Sequence, residues 1–183
     1  MFFTGARSFP DGLYNGRMPA ASSFDITSTI DFQEVDNALN QARKEVGQRY
    51  DFKGATADIT LSTVDKTLTL LADDEFKMNA LWEIAQTRLV RRGVPVKNFT
   101  FEKSEPAASG KVRRVIKIQQ GIPIEAAREI VKFIKDRKLK KVQAAIQADQ
   151  VRVSSPSKDD LQDAIRVLRE HDFGVALQFG NYR

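Results

Sequence analysis

The 183-residue sequence contains no cysteine and only one histidine. The absence of cysteine excludes a disulfide, a thiolate metal site and a cysteine nucleophile, and it agrees with a reducing cytoplasm. The sequence also has no apolar run long enough to form the core of a signal peptide or to span a membrane. These absences predict a cytoplasmic protein without a membrane partner.

Signals for catalysis and for the common phosphate-binding loops are missing as well. The single histidine, His171, follows the last predicted helix, where a positive charge suits the helix end, and no G-x-S-x-G motif supplies a nucleophile. The segment SGKV at 109–112 is similar to the end of a phosphate-binding loop, but Glu105 replaces the required glycine and Val112 the required hydroxyl residue. A G-x-G-x-x-G motif does not occur. We therefore predict a non-enzymatic protein with no catalytic residues, no metal site and no cofactor.

Basic residues, in contrast, are plentiful. The net charge of +5 and the isoelectric point near 9.5 favour a polyanionic partner. The segment KFIKDRKLKK, residues 132–141, contains six cations and one acidic residue. Two interpretations remain open for it: a solvated helix end, whose backbone carbonyls favour positive charge, or a phosphate-binding surface. A second cluster, Arg88, Arg91 and Arg92, ends the equivalent helix of the first half of the chain.

Residues 1–22 are predicted to form a flexible tail, because glycine and proline are interspersed there with isolated aromatic residues. After this tail, apolar and polar residues alternate over 24–30, which predicts a half-buried strand. The next predicted elements are a helix capped by Asp31, a hairpin of 55–62 and 66–72, a helix capped by Asp74, and a strand over 97–103.

The same order of elements recurs in the second half of the chain. Its predicted elements are a strand over 113–120, a helix over 124–137, a hairpin of 141–148 and 150–155, a helix capped by Ser157, and a strand over 175–183. Two consecutive β-α-β-β-α-β units predict an α+β fold of two ferredoxin-like domains, each with both helices on one face of a four-stranded antiparallel sheet. The segment SEPAASG, 104–110, is the predicted linker.

The sheet face opposite the helices is free in such a fold, and RNA recognition domains stack bases on aromatic residues there. The characteristic basic and aromatic motif of those domains is absent. Phe99 and Phe101 in NFTF come nearest to it, and core packing under the two helices explains them at least as well.

The stretch RYDFKG, 49–54, sets two aromatic rings among two cations just beyond the first predicted helix. One interpretation is purely structural, since Gly54 suits the reversal of the backbone after a helix. In the other, one ring is structural, and Arg49 and Lys53 face the groove between the domains, where a base stacks and phosphates bind. The C-terminal QFGNYR, with Phe179, Tyr182 and Arg183, is a comparable candidate.

Five segments together resemble the YajQ family of small bacterial nucleotide-binding proteins, from about Ser22 to Arg183. They are SFDITSTIDFQEVDNA, RYDFKG, IVKFIKDRKLKKVQAAIQADQVRV, SKDDLQDAI and LQFGNYR. The resemblance implies two ferredoxin-like domains that exchange their first strands, with 24–30 in the second sheet and 112–120 in the first. The implied domains are 31–120, and 24–30 together with 121–183.

The family is described as binding nucleotides or RNA, and some members as receptors for cyclic diguanylate that act on transcription. It has no agreed catalytic set. Relatives tend to have Gly-Asp or Gly-Glu at the second hairpin, where this chain has Ala148-Asp149, and a threonine-glycine-basic loop is replaced here by 154–157. Arg152 and Lys158 remain as candidate phosphate ligands beside that loop.

We predict a binding protein whose ligand is a purine nucleotide, a cyclic dinucleotide such as cyclic diguanylate, or RNA, with a link to transcriptional regulation. The alternative is a protein-interaction adaptor that docks the transcription machinery and has no specific nucleotide pocket. The predicted binding residues are Arg49, Phe52, Lys53, Lys132, Lys135, Lys138, Lys140, Lys141, Arg152, Lys158, Phe179, Tyr182 and Arg183.

Overall fold

The computed structural model describes residues 21–139 and 141–183, and it confirms a mixed fold of helices and two antiparallel sheets. The elements in chain order are β1 (Ser22–Thr27), α1 (Phe32–Gln48), β2 (Ala57–Ser62), β3 (Thr67–Ala72), α2 (Glu75–Arg91), β4 (Phe99–Phe101), β5 (Glu105–Pro106), β6 (Val112–Ile118), α3 (Ile124–Asp136), β7 (Gln143–Gln147), β8 (Gln150–Ser155), α4 (Lys158–Glu170) and β9 (Gln178–Gly180). The predicted tail lies outside the described residues except for Ala21 and Ser22, and Ser22 begins β1.

Three helices begin at the capping residues that the sequence predicts. The Asp31 carboxylate accepts hydrogen bonds from the backbone N–H groups of Gln33 and Glu34 at the start of α1. Asp74 and Ser157 accept equivalent bonds at the starts of α2 and α4. Each cap satisfies a backbone donor that the helix itself leaves without a partner.

The strand order is β2-β3-β6-β4 in the first sheet, where β5 also pairs with β6, and β7-β8-β1-β9 in the second. Strand β1 pairs antiparallel with β8 and β9, so that Phe24 lies opposite Val153 and Ile26 opposite Phe179. Strand β6 lies between β3 and β4, with Ile116 opposite Leu68. A strand from the start of the chain thus completes the sheet built from its end.

Several predicted segments differ in extent from the observed elements, and the strand predicted over 97–103 is reduced to Phe99–Phe101. The strand predicted over 24–30 ends at Thr27, and the one predicted over 175–183 is reduced to Gln178–Gly180. Beyond β9, the backbone of Arg183 still exchanges hydrogen bonds with Ser23, at 2.9 and 3.1 Å. The predicted linker 104–110 includes β5, which pairs with the start of β6.

Each sheet covers a separate apolar core beneath two helices. The first core includes Leu39, Leu70, Met78, Leu81 and Ile116, and the second includes Phe24, Ile130, Val153, Ile165 and Leu168. Strand residues alternate between core and opposite face, as the two-residue period requires. Phe99 lies in the first core, whereas Phe101 is exposed and packs edge-on against Trp82, with ring centroids 4.8 Å apart.

A buried hydrogen-bond network joins the segments that connect the two sheets. The Asn98 side chain donates to Ser28 Oγ at 2.8 Å and to the Gln119 carbonyl at 3.0 Å, and it accepts from the Ala176 N–H at 2.8 Å. The Gly121 N–H donates to the Ser28 carbonyl at 2.7 Å. These residues follow β1 and β6 or precede β4 and β9, so one polar network positions all four strands.

Candidate functional site

The RYDFKG stretch forms a tight corner after α1. A single turn of 3₁₀-helix, Tyr50–Phe52, places its two rings in different environments. Phe52 is only 4% exposed and packs in the first core, whereas Tyr50 is 88% exposed. Of these two rings, only that of Tyr50 is accessible to a ligand.

The cations of this corner differ in their partners. The Arg49 guanidinium donates to both carboxylate oxygens of Asp51, at 3.0 and 2.9 Å. This pair of hydrogen bonds raises the pKa of Arg49 and lowers the pKa of Asp51. Lys77 Nζ donates to the Asp51 carbonyl and lies 5.3 Å from the centroid of the Phe52 ring. Lys53 is exposed and forms no salt bridge within the described parts of the chain.

Phe76 is a further exposed aromatic residue, which the sequence analysis missed. It lies in the first turn of α2, next to Lys77, and its side chain is 78% exposed. The apolar stripe of α2 runs through Met78, Leu81 and Leu89, so Phe76 falls outside the period of the buried face. An aromatic residue off the apolar stripe is the signal that would have identified it.

The basic segment 132–141 lies at the C-terminal end of α3 and in the turn that follows. Lys132, Lys135, Lys138 and Lys141 are exposed, and none of them forms a salt bridge with another described residue. Lys140 lies outside the described residues. Arg137 is positioned over the Phe133 ring at 4.8 Å. The four described lysines are therefore accessible to a polyanion.

The arginines at the end of α2 have a different environment. Arg88 pairs with Glu45 at 2.8 Å and Arg92 pairs with Glu34 at 3.2 Å, both on α1. Arg91 is exposed. Two of these three charges are therefore matched by carboxylates of the neighbouring helix, and they hold α2 against α1.

Arg152 pairs with a buried carboxylate. Its guanidinium donates to both oxygens of Asp25, at 2.7 and 2.9 Å, and the Asn181 side-chain amide donates to the same carboxylate. The hydrogen bond from Arg152 lowers the pKa of Asp25, although burial opposes this shift, and it raises the pKa of Arg152. The Arg152 side chain, a predicted phosphate ligand, is thus occupied by Asp25.

Three other predicted residues meet around one cavity of about 390 Å³. We call it the C-terminal cavity, and its lining consists of Ser22, Ser23, Lys158, Leu161, Gln162, Tyr182 and Arg183. Lys158 is supplied by the first turn of α4, whereas Arg183 is held beside Ser23 by the backbone hydrogen bonds described above.

An aromatic cluster lies against this cavity. The Phe24 ring lies 6.0 Å from that of Phe179 and 6.2 Å from that of Tyr182, and the guanidinium of Arg169 lies 5.4 Å from the centre of the Phe179 ring. Tyr182 remains exposed. Two cations and an accessible ring can bind an anionic group and a planar group side by side.

These features define a two-sheet α+β protein in which two exposed cations and one exposed aromatic ring line a small cavity. No helix among the described residues has both the length and the apolar character needed to cross a bilayer. The chain belongs to the family described as nucleotide-binding protein YajQ-like, which matches residues 22–183. The resemblance predicted from the five segments is confirmed.

Several relatives are similar over nearly their whole length. The chain is 51% identical over 161 residues to a nucleotide-binding protein of Geobacter metallireducens, covering 88% of this chain and 98% of that protein. Identity to a nucleotide-binding protein of Trichlorobacter lovleyi is 48% with the same coverage. A nucleotide-binding protein of Carboxydothermus hydrogenoformans is 46% identical over 166 residues, covering 91% of this chain and 100% of that protein.

Proposed function

We propose that this cytoplasmic protein binds a nucleotide in the C-terminal cavity and does not transform it. The observation that carries the proposal is the meeting of Lys158, Tyr182 and Arg183 around one opening. The relatives named above as nucleotide-binding proteins support the ligand class.

The lining suits the two parts of a nucleotide. Lys158 and Arg183 attract a phosphate, and the backbone N–H groups at the start of α4 add a favourable dipole. The carboxylates of Asp159 and Asp160 belong to the same helical turn but are not among the described lining residues, so the lining itself is positive. Tyr182 offers its ring to a base, with Phe24 behind it.

The exposed cations at the end of α3 extend the proposal to RNA. Lys132, Lys135, Lys138 and Lys141 supply a phosphate-binding surface outside the cavity. Single-stranded RNA needs cations along its backbone and rings for its bases, and Tyr50 and Phe76 each offer an exposed ring. Purine nucleotides and cyclic diguanylate are the small ligands proposed for the cavity, and their binding is proposed to act on transcription.

The strand pairing supports a further part of the proposal, that two ferredoxin-like domains exchange their first strands. The domains are 31–120, and 24–30 together with 121–183. Pairing of β1 with β8 and β9, and the position of β6 between β3 and β4, are the supporting observations.

A second candidate function is an adaptor that docks a transcription-related protein. The exposed rings of Tyr50 and Phe76 favour it, since aromatic residues are enriched at protein–protein interfaces. In this case the cations steer the encounter and no nucleotide pocket is used.

Competition binding separates the two functions. Fluorescence anisotropy of a labelled structured RNA is measured in a salt series, with GTP and cyclic diguanylate as unlabelled competitors at constant ionic strength. We expect a competitor to displace the RNA and the double variant Lys158→Gln, Arg183→Gln to weaken its inhibition at least about tenfold, as loss of two charged hydrogen bonds requires. Arg166→Gln is the control, because Arg166 is exposed on the same helix and pairs with Asp163 outside the cavity.

Two results contradict nucleotide binding in the cavity. In the first, neither competitor displaces the RNA, and the logarithm of the RNA affinity falls by about 0.7 to 0.9 per phosphate contact for each tenfold increase in salt concentration. The other is equal inhibition in wild type and in the double variant. The first result leaves a generic phosphate surface and favours the adaptor.

A further inference from the structure

A second cavity, of about 720 Å³, opens on the first sheet and contains none of the residues discussed so far as binding candidates. Its floor is formed by Asp58, Thr60, Thr69 and Leu71 of β2 and β3. Asp58 pairs with Leu71, and Thr60 with Thr69, in the strand register. Their neighbours Ile59 and Leu70 are buried in the first core, so the floor is the sheet face that α1 and α2 leave uncovered.

One wall of this sheet-face cavity is the turn between β5 and β6. Ala107, Ala108, Ser109 and Lys111 line it. The Ala107 N–H donates to the Lys111 carbonyl at 2.7 Å, and both Ser109 and Gly110 have a positive φ, of 61° and 74°. The turn is closed on itself by this bond, and its residues line the same cavity as the strand floor.

The charged residues of the lining are three cations and one carboxylate. Arg43 reaches the edge of β2, where Nε and Nη2 donate to the Ile59 carbonyl at 3.0 and 2.9 Å. Arg113 shares its charge with Glu105 at 3.1 Å, in a half-exposed pair. Lys111 forms no salt bridge with any described residue. The lining is therefore positive, and Lys111 and Arg113 come from one end of β6.

The remaining lining residues decide which anion fits. No described lining residue is aromatic, so a base finds no ring on which to stack. Hydroxyl groups from Thr60, Thr69 and Ser109 and the exposed carboxylate of Asp58 are instead suited to several hydroxyl groups of a ligand. A volume of about 720 Å³ falls within the range of about 300 to 1,000 Å³ typical of small-molecule pockets.

We propose that the sheet-face cavity binds a phosphorylated sugar. The phosphate lies against Lys111 and Arg113, the sugar hydroxyls bind Asp58, Thr60 and Thr69, and Leu71 contacts the apolar face of the ring. The site is separate from the C-terminal cavity and does not depend on the proposed nucleotide function. The proposed ligand is a free sugar phosphate. The RNA backbone carries the same ribose and phosphate groups and is the alternative ligand that the test must distinguish.

The test is an NMR titration of the ¹⁵N-labelled full chain with ribose 5-phosphate at constant ionic strength, in parallel with ribose, inorganic phosphate and a short oligouridylate. We expect saturable shifts of the amides of Asp58, Thr60, Thr69 and residues 107–113. Ribose and inorganic phosphate are each expected to bind at least about tenfold more weakly, since each makes only part of the contacts.

Matched variants then assign the site. Lys111→Gln with Arg113→Gln is expected to weaken ribose 5-phosphate at least about tenfold, as loss of two charged hydrogen bonds requires. Lys117→Gln is the control, because Lys117 lies on the same strand, pairs with Glu102 at 2.6 Å and does not line the cavity. It is expected to keep the wild-type affinity, and all variants should keep the dispersed spectrum of the folded protein.

The proposal is overturned if ribose 5-phosphate shifts none of these amides, if inorganic phosphate binds equally well, if only the oligouridylate binds, or if the double variant binds like wild type. Titration of the same sample with GTP tests the C-terminal cavity separately, through the shifts of the amides of Ser23, Tyr182 and Arg183. A negative result at one cavity thus leaves the other result intact.

Discussion

At the scale of single residues, Asp25 has the least ordinary environment. It is the only charged residue among the buried side chains that the structure describes, at 4% exposure, and it lies in β1 between the buried Phe24 and Ile26. Arg152 and Asn181 satisfy its oxygens. A buried carboxylate with matched donors is tolerated, whereas one without them is costly.

Replacing Arg152 by Ala is therefore expected to lower the free energy of unfolding by about 3 kcal/mol, because it leaves the Asp25 charge unpaired inside the protein. Urea denaturation followed by circular dichroism measures the change. Arg166→Ala is the control, since the Arg166–Asp163 pair is exposed and its loss is expected to cost less than about 1 kcal/mol. Equal losses in the two variants would contradict the role assigned to burial.

The same pair predicts a dependence on pH. In the wild type the hydrogen bond from Arg152 lowers the pKa of Asp25, so this stabilisation is complete above the unfolded pKa of about 3.9 and is lost as pH falls through the lower folded value. In Arg152→Ala the largest cause of the lowering is removed, so burial opposes the charged carboxylate more strongly and the pKa of Asp25 is higher than in the wild type. The stability difference between the two proteins is therefore expected to narrow as pH falls from 7 toward 3, and a constant difference over that range would exclude this explanation.

Residue patterns predicted some site residues better than others. Lys158, Tyr182 and Arg183 were predicted from the sequence, and the structure places them around one cavity. The sequence could not show that Arg152 is occupied, because its partner Asp25 lies 127 residues away along the chain. It could not show that Thr60 and Thr69 form a cavity floor either, since that depends on how the turn 107–111 is placed against the sheet.

At the scale of elements, the turn after β6 is tightly packed. Gly121 has a φ of 80°, and a Cβ atom added there would lie 2.7 Å from Asp149 Cβ. Gly54, in the corner after α1, has a similar φ of 75° but no atom within 4 Å of the added position. Substitution of Gly54 therefore tests backbone strain alone, whereas substitution of Gly121 tests backbone strain together with steric overlap.

Gly54→Ala is expected to cost about 1 to 2 kcal/mol through the left-handed backbone alone. Gly121→Ala is expected to cost about 1 to 3 kcal/mol more, because the methyl group also collides with Asp149 in the next hairpin. Denaturation midpoints of both variants, with the slope checked for constancy, measure the difference. Equal costs would show that Asp149 moves aside freely.

Helix starts and strand faces were readable from the sequence, because caps and periodicity are local signals. Asp31, Asp74 and Ser157 cap the predicted helices. Pairing partners were not readable in this way, since alternation of apolar residues specifies a face and not a neighbour. The linear repeat alone did not predict that β1 pairs with β8 and β9, and only the family resemblance implied it.

At the scale of the whole molecule, the network around Asn98 joins segments next to both sheets. If the strands of the two sheets depend on one another through this network, the two cores unfold together. Leu81→Ala in the first core and Leu168→Ala in the second are each expected to cost about 2 to 5 kcal/mol, since both side chains are fully buried.

Differential scanning calorimetry distinguishes joint from separate unfolding. We expect one transition in each protein, shifted down by either substitution, with a calorimetric enthalpy equal to the van't Hoff enthalpy. Two transitions, each displaced by only one of the substitutions, would show that the sheets melt independently.

The position of β1 also has a consequence for protein synthesis. The ribosome synthesises β1 before the other strands, whereas its partners Gln150–Ser155 and Gln178–Gly180 are synthesised last. The strands of the first sheet, in contrast, are all present once Ile118 has emerged. At a synthesis rate of about 5 to 20 residues per second, β1 remains unpaired for on the order of ten seconds. The first core is therefore expected to close on the ribosome, while the apolar side chains of Phe24 and Ile26 are left for chaperones to shield until translation ends.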